Sequence, residues 1–160
     1  MRFIGRFMLT LFPFIYMFLI WQQTSKFDPE SVSGLSTVLS DVVILAIGGT
    51  LELAHLFEFS ILYCLIIMAL LCYGYLNKWK ETLAIVISLL YGLADEIHQL
   101  FVPFRSFSII DLIKNSIGIL VIWYFIHQKY FTKKDSRLGS FFRKITTFFK
   151  KEKANTSIKL

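Results

Sequence analysis

The sequence predicts an all-α fold, an integral membrane helical bundle with about four transmembrane helices and both ends in the cytoplasm. Three observations predict it. Hydrophobic residues fill 56% of the 160 positions and the mean hydropathy is +0.62, too apolar for an ordinary soluble domain. Four apolar stretches approach the roughly 20 residues a helix needs to cross about 30 Å of hydrocarbon. The Lys and Arg residues lie beside alternate ends of those stretches, as retention of cations on the cytoplasmic side requires.

The first expected span covers residues 3–21. Arg2 and Arg6 precede it, but no small-residue cleavage pattern follows, so the segment is read as an uncleaved span with at most a kink at Pro13. Residues 24–52 are mixed, with Asp28-Pro29-Glu30, several serines, Gly34 and the Gly48-Gly49 pair. The apolar stretch 42–47 inside them is too short to span, so an interfacial helix in a first outer loop is expected there. Spans two, three and four are expected at 54–76, 82–100 and 109–127. Residues 77–81 and 102–108 link them, and short links make antiparallel neighbours.

Arg2, Arg6, Lys78, Lys80 and the tail fall on one side of an even number of spans. The segment 24–52, with one lysine against four acids, falls on the other with 102–108. The organisation expected is a transmembrane domain over residues 1–127 and a basic tail over 128–160. Ten of the seventeen cations follow His127, so the net charge of +6 belongs to the tail and suits anionic lipid rather than nucleic acid. Phe141, Phe142, Ile145, Phe148 and Phe149 recur at one-and-three spacing among Arg143, Lys144, Lys150 and Lys151, the pattern of an amphipathic helix at a membrane surface. Cys64 and Cys72 lie about 12 Å apart along one helix, too far for a disulfide.

Ionisable groups within spans cost at least ~2.5–3.5 kcal/mol near the bilayer centre and call for a partner or a purpose. Here they gather at the outer ends of three spans: Glu52, His55 and Glu58; Asp95, Glu96, His98 and Gln99; Asp111, Lys114 and Asn115, with Arg105 and Ser108 in the preceding turn. Residues three or four apart share a helix face. His55 stands over Glu58, Asp95 and Glu96 near Gln99, and Asp111 over Asn115, with Gly118 a turn deeper. One outward-opening pocket formed by His55, Glu58, Asp95, Glu96, Gln99, Arg105, Ser108, Asp111 and Asn115 is therefore expected. Glu52, His98 and Lys114 read as boundary residues. Arg105, the one certain cation beside four carboxylates, is expected to fold back on Asp95, Glu96 or Asp111, since a guanidinium forks onto carboxylates and keeps its charge when partly desolvated.

The run Asp95-Glu96-Ile97-His98-Gln99-Leu100-Phe101-Val102-Pro103-Phe104-Arg105, followed by Ser108, Asp111, Asn115 and Gly118, resembles the VanZ-like family. So does His55-Leu56-Phe57-Glu58-Phe59 followed by Leu62. The resemblance implies a small bacterial multi-pass protein of the cell membrane whose namesake is associated with low-level teicoplanin resistance, with no settled biochemical activity. Members often carry a glycine where this chain has Phe104, and an Arg-Lys pair where it has Leu51-Glu52, which reverses charge at the pocket mouth and argues against a grip on phosphate.

Two functions remain open at this level. One is a binder of a membrane lipid or lipid-linked envelope component. The other is a membrane-embedded hydrolase or transferase acting on an envelope lipid, with Glu58, Asp95 and Glu96 as acid/base groups and, in a metal-dependent form, His55, Glu58 and Asp111 as ligands. The cofactor is not specified by the sequence. A proton or cation pathway is disfavoured by the scarcity of ionisable residues in the inner halves of the spans.

Overall fold

The structure, a computed structural model, describes residues 2–26, 40–103, 105–132 and 136–156. Among them are five α-helices and no strand: α1 (Arg2–Lys26), α2 (Asp41–Leu71), α3 (Lys78–Gln99), α4 (Ile109–His127) and α5 (Arg137–Thr156). A five-residue π turn, Gln128–Thr132, continues α4. Among the described residues two helices are long and apolar enough to cross a membrane, Arg2–Lys26 and Ile109–Thr132, with mean hydropathies of 1.9 and 1.8; Leu56–Leu71 is a shorter apolar stretch.

The distribution of side chains is inverted relative to a soluble bundle. Glu58, Ser88, Asp95, Glu96, Gln99 and Asn115 are buried, while Phe3, Phe7, Phe14, Phe18, Ile109, Ile113 and Ile117 are exposed. A surface this apolar finds its solvent in lipid. The apolar core lies between the helices, with Phe59, Leu62, Tyr63, Ile67 and Leu71 of α2 packed with Ile20, Ala84, Ile119 and Ile126.

Two boundaries differ from the sequence expectation. Residues 42–47 do not form a separate interfacial helix; they open α2, which runs unbroken through Gly48-Gly49. Glycine costs about 1 kcal/mol in a helix interior without terminating it, and apolar helix-compatible residues flank the pair. Residues 27–39, the rest of the expected loop, lie outside the described residues. At its other end α2 stops at Leu71 rather than near 76, because Gly74 adopts φ +131° and turns the chain. The Lys80 ammonium then donates to the Leu70 and Gly74 carbonyls at 2.9 and 2.8 Å, and Asn77 caps α3 by accepting from the Lys80 N–H at 2.9 Å. The third helix thus begins at Lys78, and Glu81 belongs to its first turn. There Glu81 is 3% exposed and lies 3.0 Å from His127 Nδ1, which joins α4 to α3. The fourth helix has the expected bounds.

The cation-bearing segments meet at one end of the bundle. The Arg2 guanidinium stacks over Phe148, that of Arg6 over Tyr73 and Phe149, and the Lys150 ammonium over Tyr75. Helix α5 folds back on this end and buries Phe142, Thr146 and Phe149, leaving Leu138, Phe141 and Phe148 exposed along an adjoining face. At the opposite end, Ser25 Oγ lies 2.8 Å from His98 Nε2 and the Trp21 ring stacks on His98 at 3.6 Å.

Helices α2 and α4 approach one another closely at Gly118. A Cβ at Gly118 would lie 2.1 Å from the Leu56 carbonyl oxygen and 2.7 Å from Ser60 Oγ. Only glycine permits this separation. Gly118→Ala should therefore lower stability by about 1–3 kcal/mol, measured as thermal unfolding in detergent. Gly92→Ala is the control, since its Cβ would meet the Phe59 ring at an ordinary 3.4 Å and should leave unfolding near the parent value.

Candidate functional site: an acid cluster at the end of the bundle

The site forms where the carboxyl end of α3 meets the end of α1 and the turn into α4. Asp95 and Glu96 are adjacent and, at 1% and 0% exposure, wholly enclosed. Carboxylates so buried need donors, and each of the four oxygens has one. Thr24 Oγ1 of α1 donates to Asp95 Oδ1 at 2.9 Å. The Ser108 backbone N–H donates to Glu96 Oε2 at 3.0 Å. Gln99 Nε2 supplies the other two, to Asp95 Oδ2 at 3.1 Å and Glu96 Oε1 at 3.3 Å. Spacings of four and three residues put both carboxylates within reach of one side chain.

The Gln99 carbonyl accepts in turn from an Arg105 guanidinium nitrogen at 2.8 Å. Arg105 thus lies over the cluster, where the Gln99 amide donates to both acids and accepts from the guanidinium. Asp111, the third partner expected for Arg105, lies 3.1 Å from Lys114 on its own helix. Its N–H donates to Ser108 Oγ at 3.1 Å, which caps α4. Lys114, read as a boundary residue, is thus the second cation of the cluster.

Glu58 of α2 is buried to 8% exposure. Tyr91 of α3 donates to the Met17 carbonyl of α1 and so joins those two helices. One turn beyond Asp111, the Asn115 side chain is 1% exposed, and among the described residues neither its nitrogen nor its oxygen has a hydrogen-bond partner.

Of the expected pocket residues, Asp95, Glu96, Gln99, Arg105 and Ser108 form one chain of hydrogen bonds, to which Asp111 is joined through Ser108. Glu58 is buried on α2, and Asn115 lies one turn beyond Asp111 on α4. The side chains of His55 and Glu52 lie outside the described residues. Among the described residues no three His, Cys, Asp or Glu side chains gather in a metal-binding group. Thr24 was not foreseen: it follows Gln22-Gln23, which reads as the end of a span, whereas α1 continues to Lys26 and carries Thr24 and Ser25 to the ends of α3.

Chemically, the cluster sets four carboxylates, Glu58, Asp95, Glu96 and Asp111, against Arg105 and Lys114. Such a surface attracts hydroxyl, amide or ammonium donors and repels a bare phosphate. No curated protein and no solved structure matches this chain. A family model described as VanZ/LLP1 matches residues 2–132. That match takes in α1 to α4 and the π turn, with every residue of the acid cluster inside it, and the chain belongs to the VanZ/LLP1 family.

Proposed function

We propose that the chain is a four-span protein of the bacterial cell membrane, both ends cytoplasmic, that engages a lipid or lipid-linked envelope component at its acidic pocket and thereby alters susceptibility to teicoplanin. The observation that carries the reading is Asn115. Among the described residues it has no hydrogen-bond partner, and a buried amide so placed costs about 1–3 kcal/mol. A ligand headgroup that both donates and accepts would recover that cost. The charge balance selects the headgroup: hydroxyl-, amide- or ammonium-rich rather than a bare phosphate. Binding without turnover is favoured because the Asp95 and Glu96 oxygens already accept bonds from Thr24, Gln99 and Ser108, which hold them in position.

The four-span topology rests on the gathering of Arg2, Arg6 and Lys150 at one end and of the acids at the other. In a chain with Cys64 and Cys72 replaced by serine, a cysteine at Ser106 should react with an impermeant thiol reagent on intact cells, and one at Lys78 only after permeabilisation. Labelling of the Lys78 position from outside would reverse the orientation.

Asn115→Leu separates function from fold. Unfolding in detergent should be unchanged or raised by about 1–3 kcal/mol, because an apolar side chain of similar size replaces an unsatisfied amide. A lipid enriched in the purified parent protein, read by mass spectrometry, should be lost from the variant together with any effect on teicoplanin susceptibility. Equal enrichment in both would defeat the proposal; conversion of the lipid during incubation would establish the hydrolase or transferase instead.

Arg105→Lys should lower the unfolding midpoint, and Arg105→Ala lower it further, by about 1–3 kcal/mol, since Gln99 Oε1 loses a charged donor. Lys78→Ala, an exposed cation at the other end, is the control and should match the parent.

A further inference from the structure

At the end of the bundle opposite the acid cluster, a cavity of about 270 Å³ opens between the start of α1, the turn after α2 and the last turns of α5. Its walls are aromatic, Tyr73, Tyr75 and Phe149, and its charged members, Arg6 and Lys150, are both cations. No acid lines it. We infer that this cavity is a seat for the phosphodiester headgroup of an anionic glycerophospholipid, independent of the acidic pocket.

Three features support a fixed site over general attraction to a basic tail. The Arg6 guanidinium is held in place: it donates to the Phe149 carbonyl at 3.3 Å and lies over the Tyr73 and Phe149 rings at 5.8 and 5.6 Å. The Lys150 ammonium is placed across the cavity, 4.7 Å from the Tyr75 ring centre. The negative end of the α2 dipole, which would repel an anion, is covered by Lys80 on the Leu70 and Gly74 carbonyls. A phosphate between Arg6 and Lys150 would gain two charge-assisted partners.

The volume lies at the small end of ligand pockets and suits a headgroup rather than a larger molecule. Free phosphate shares the chemistry, but the aromatic walls and the exposed apolar flank of α5, Leu138, Phe141 and Phe148, favour a phosphate that arrives with glycerol and acyl chains. The folding back of α5 onto α1 then has a consequence for the tail: its other cations contribute diffuse attraction, whereas Lys150 contributes a defined contact.

The test is native mass spectrometry of the full chain in nonionic detergent, titrated with phosphatidylglycerol, with phosphatidylcholine and with inorganic phosphate. Phosphatidylglycerol should bind in preference to phosphatidylcholine, and excess phosphate should not displace it. Lys150→Gln should weaken phosphatidylglycerol binding about tenfold, equivalent to ~1.4 kcal/mol. Lys144→Gln, which removes the same charge from an exposed position on the same helix, should leave it nearly unchanged. Arg6→Gln combined with Lys150→Gln should abolish the preference. Equal losses in Lys150→Gln and Lys144→Gln would overturn the site in favour of diffuse attraction, and displacement by inorganic phosphate would overturn the lipid as its occupant. The comparison between the two lysine variants stands even where Arg6→Gln fails to fold.

Discussion

Two adjacent carboxylates enclosed at the end of α3 are the constraint around which the acidic end of the molecule is organised. Asp95 and Glu96 are sequence neighbours, so a helix directs them some 100° apart, and each meets a different part of the structure. Asp95 is met by Thr24 of α1, Glu96 by the backbone of the turn at Ser108, and both by Gln99 on their own helix. Removing any donor leaves a buried acceptor, so α1, α3 and the start of α4 are held to one arrangement by the need to satisfy these oxygens. Low dielectric strengthens each bond and makes each vacancy costly, which is how a few side chains define the register of three helices.

The two ends of the bundle solve opposite electrostatic problems with different materials. The acidic end disperses charge through an amide and hydroxyls, because four carboxylates with two cations cannot pair one to one. The basic end disperses it over aromatic faces: Phe148, Tyr73, Phe149 and Tyr75 each receive a cation. Between them the packing is apolar, with the Gly118 contact bringing α2 and α4 together. The Glu81–His127 pair is the exception, a polar tie between α3 and α4 near the basic end. It adds one ionisable contact to a region whose sequence looked bare, because its two members are 46 residues apart.

Much of the candidate site was legible because helical spacing is local. Asp95 with Gln99, Glu96 with Gln99 and Asp111 near Ser108 follow from a 3.6-residue period once the helix is recognised. Partner choice across helices was less legible. Arg105 reaches the Gln99 amide across the turn between α3 and α4, a contact that counting charges alone does not predict. The folded site matches donors to acceptors as well as charges, and an amide provides both.

Sequence alone determined the all-helical class, the bounds of α4, the amphipathic helix in the tail and the acids and amide shared by one face at the end of α3, since each depends on periodicity or composition within one segment. Tertiary structure decided where α2 begins and ends: a continuous apolar run cannot reveal whether Gly48-Gly49 breaks a helix or whether the chain turns at Gly74. It also decided that Thr24 belongs to the site, that Asn115 is buried with no hydrogen-bond partner among the described residues, and that α5 lies against α1 to close a cationic cavity. These depend on which surfaces meet. A local pattern states what a helix can present; only packing against distant segments selects which face is used.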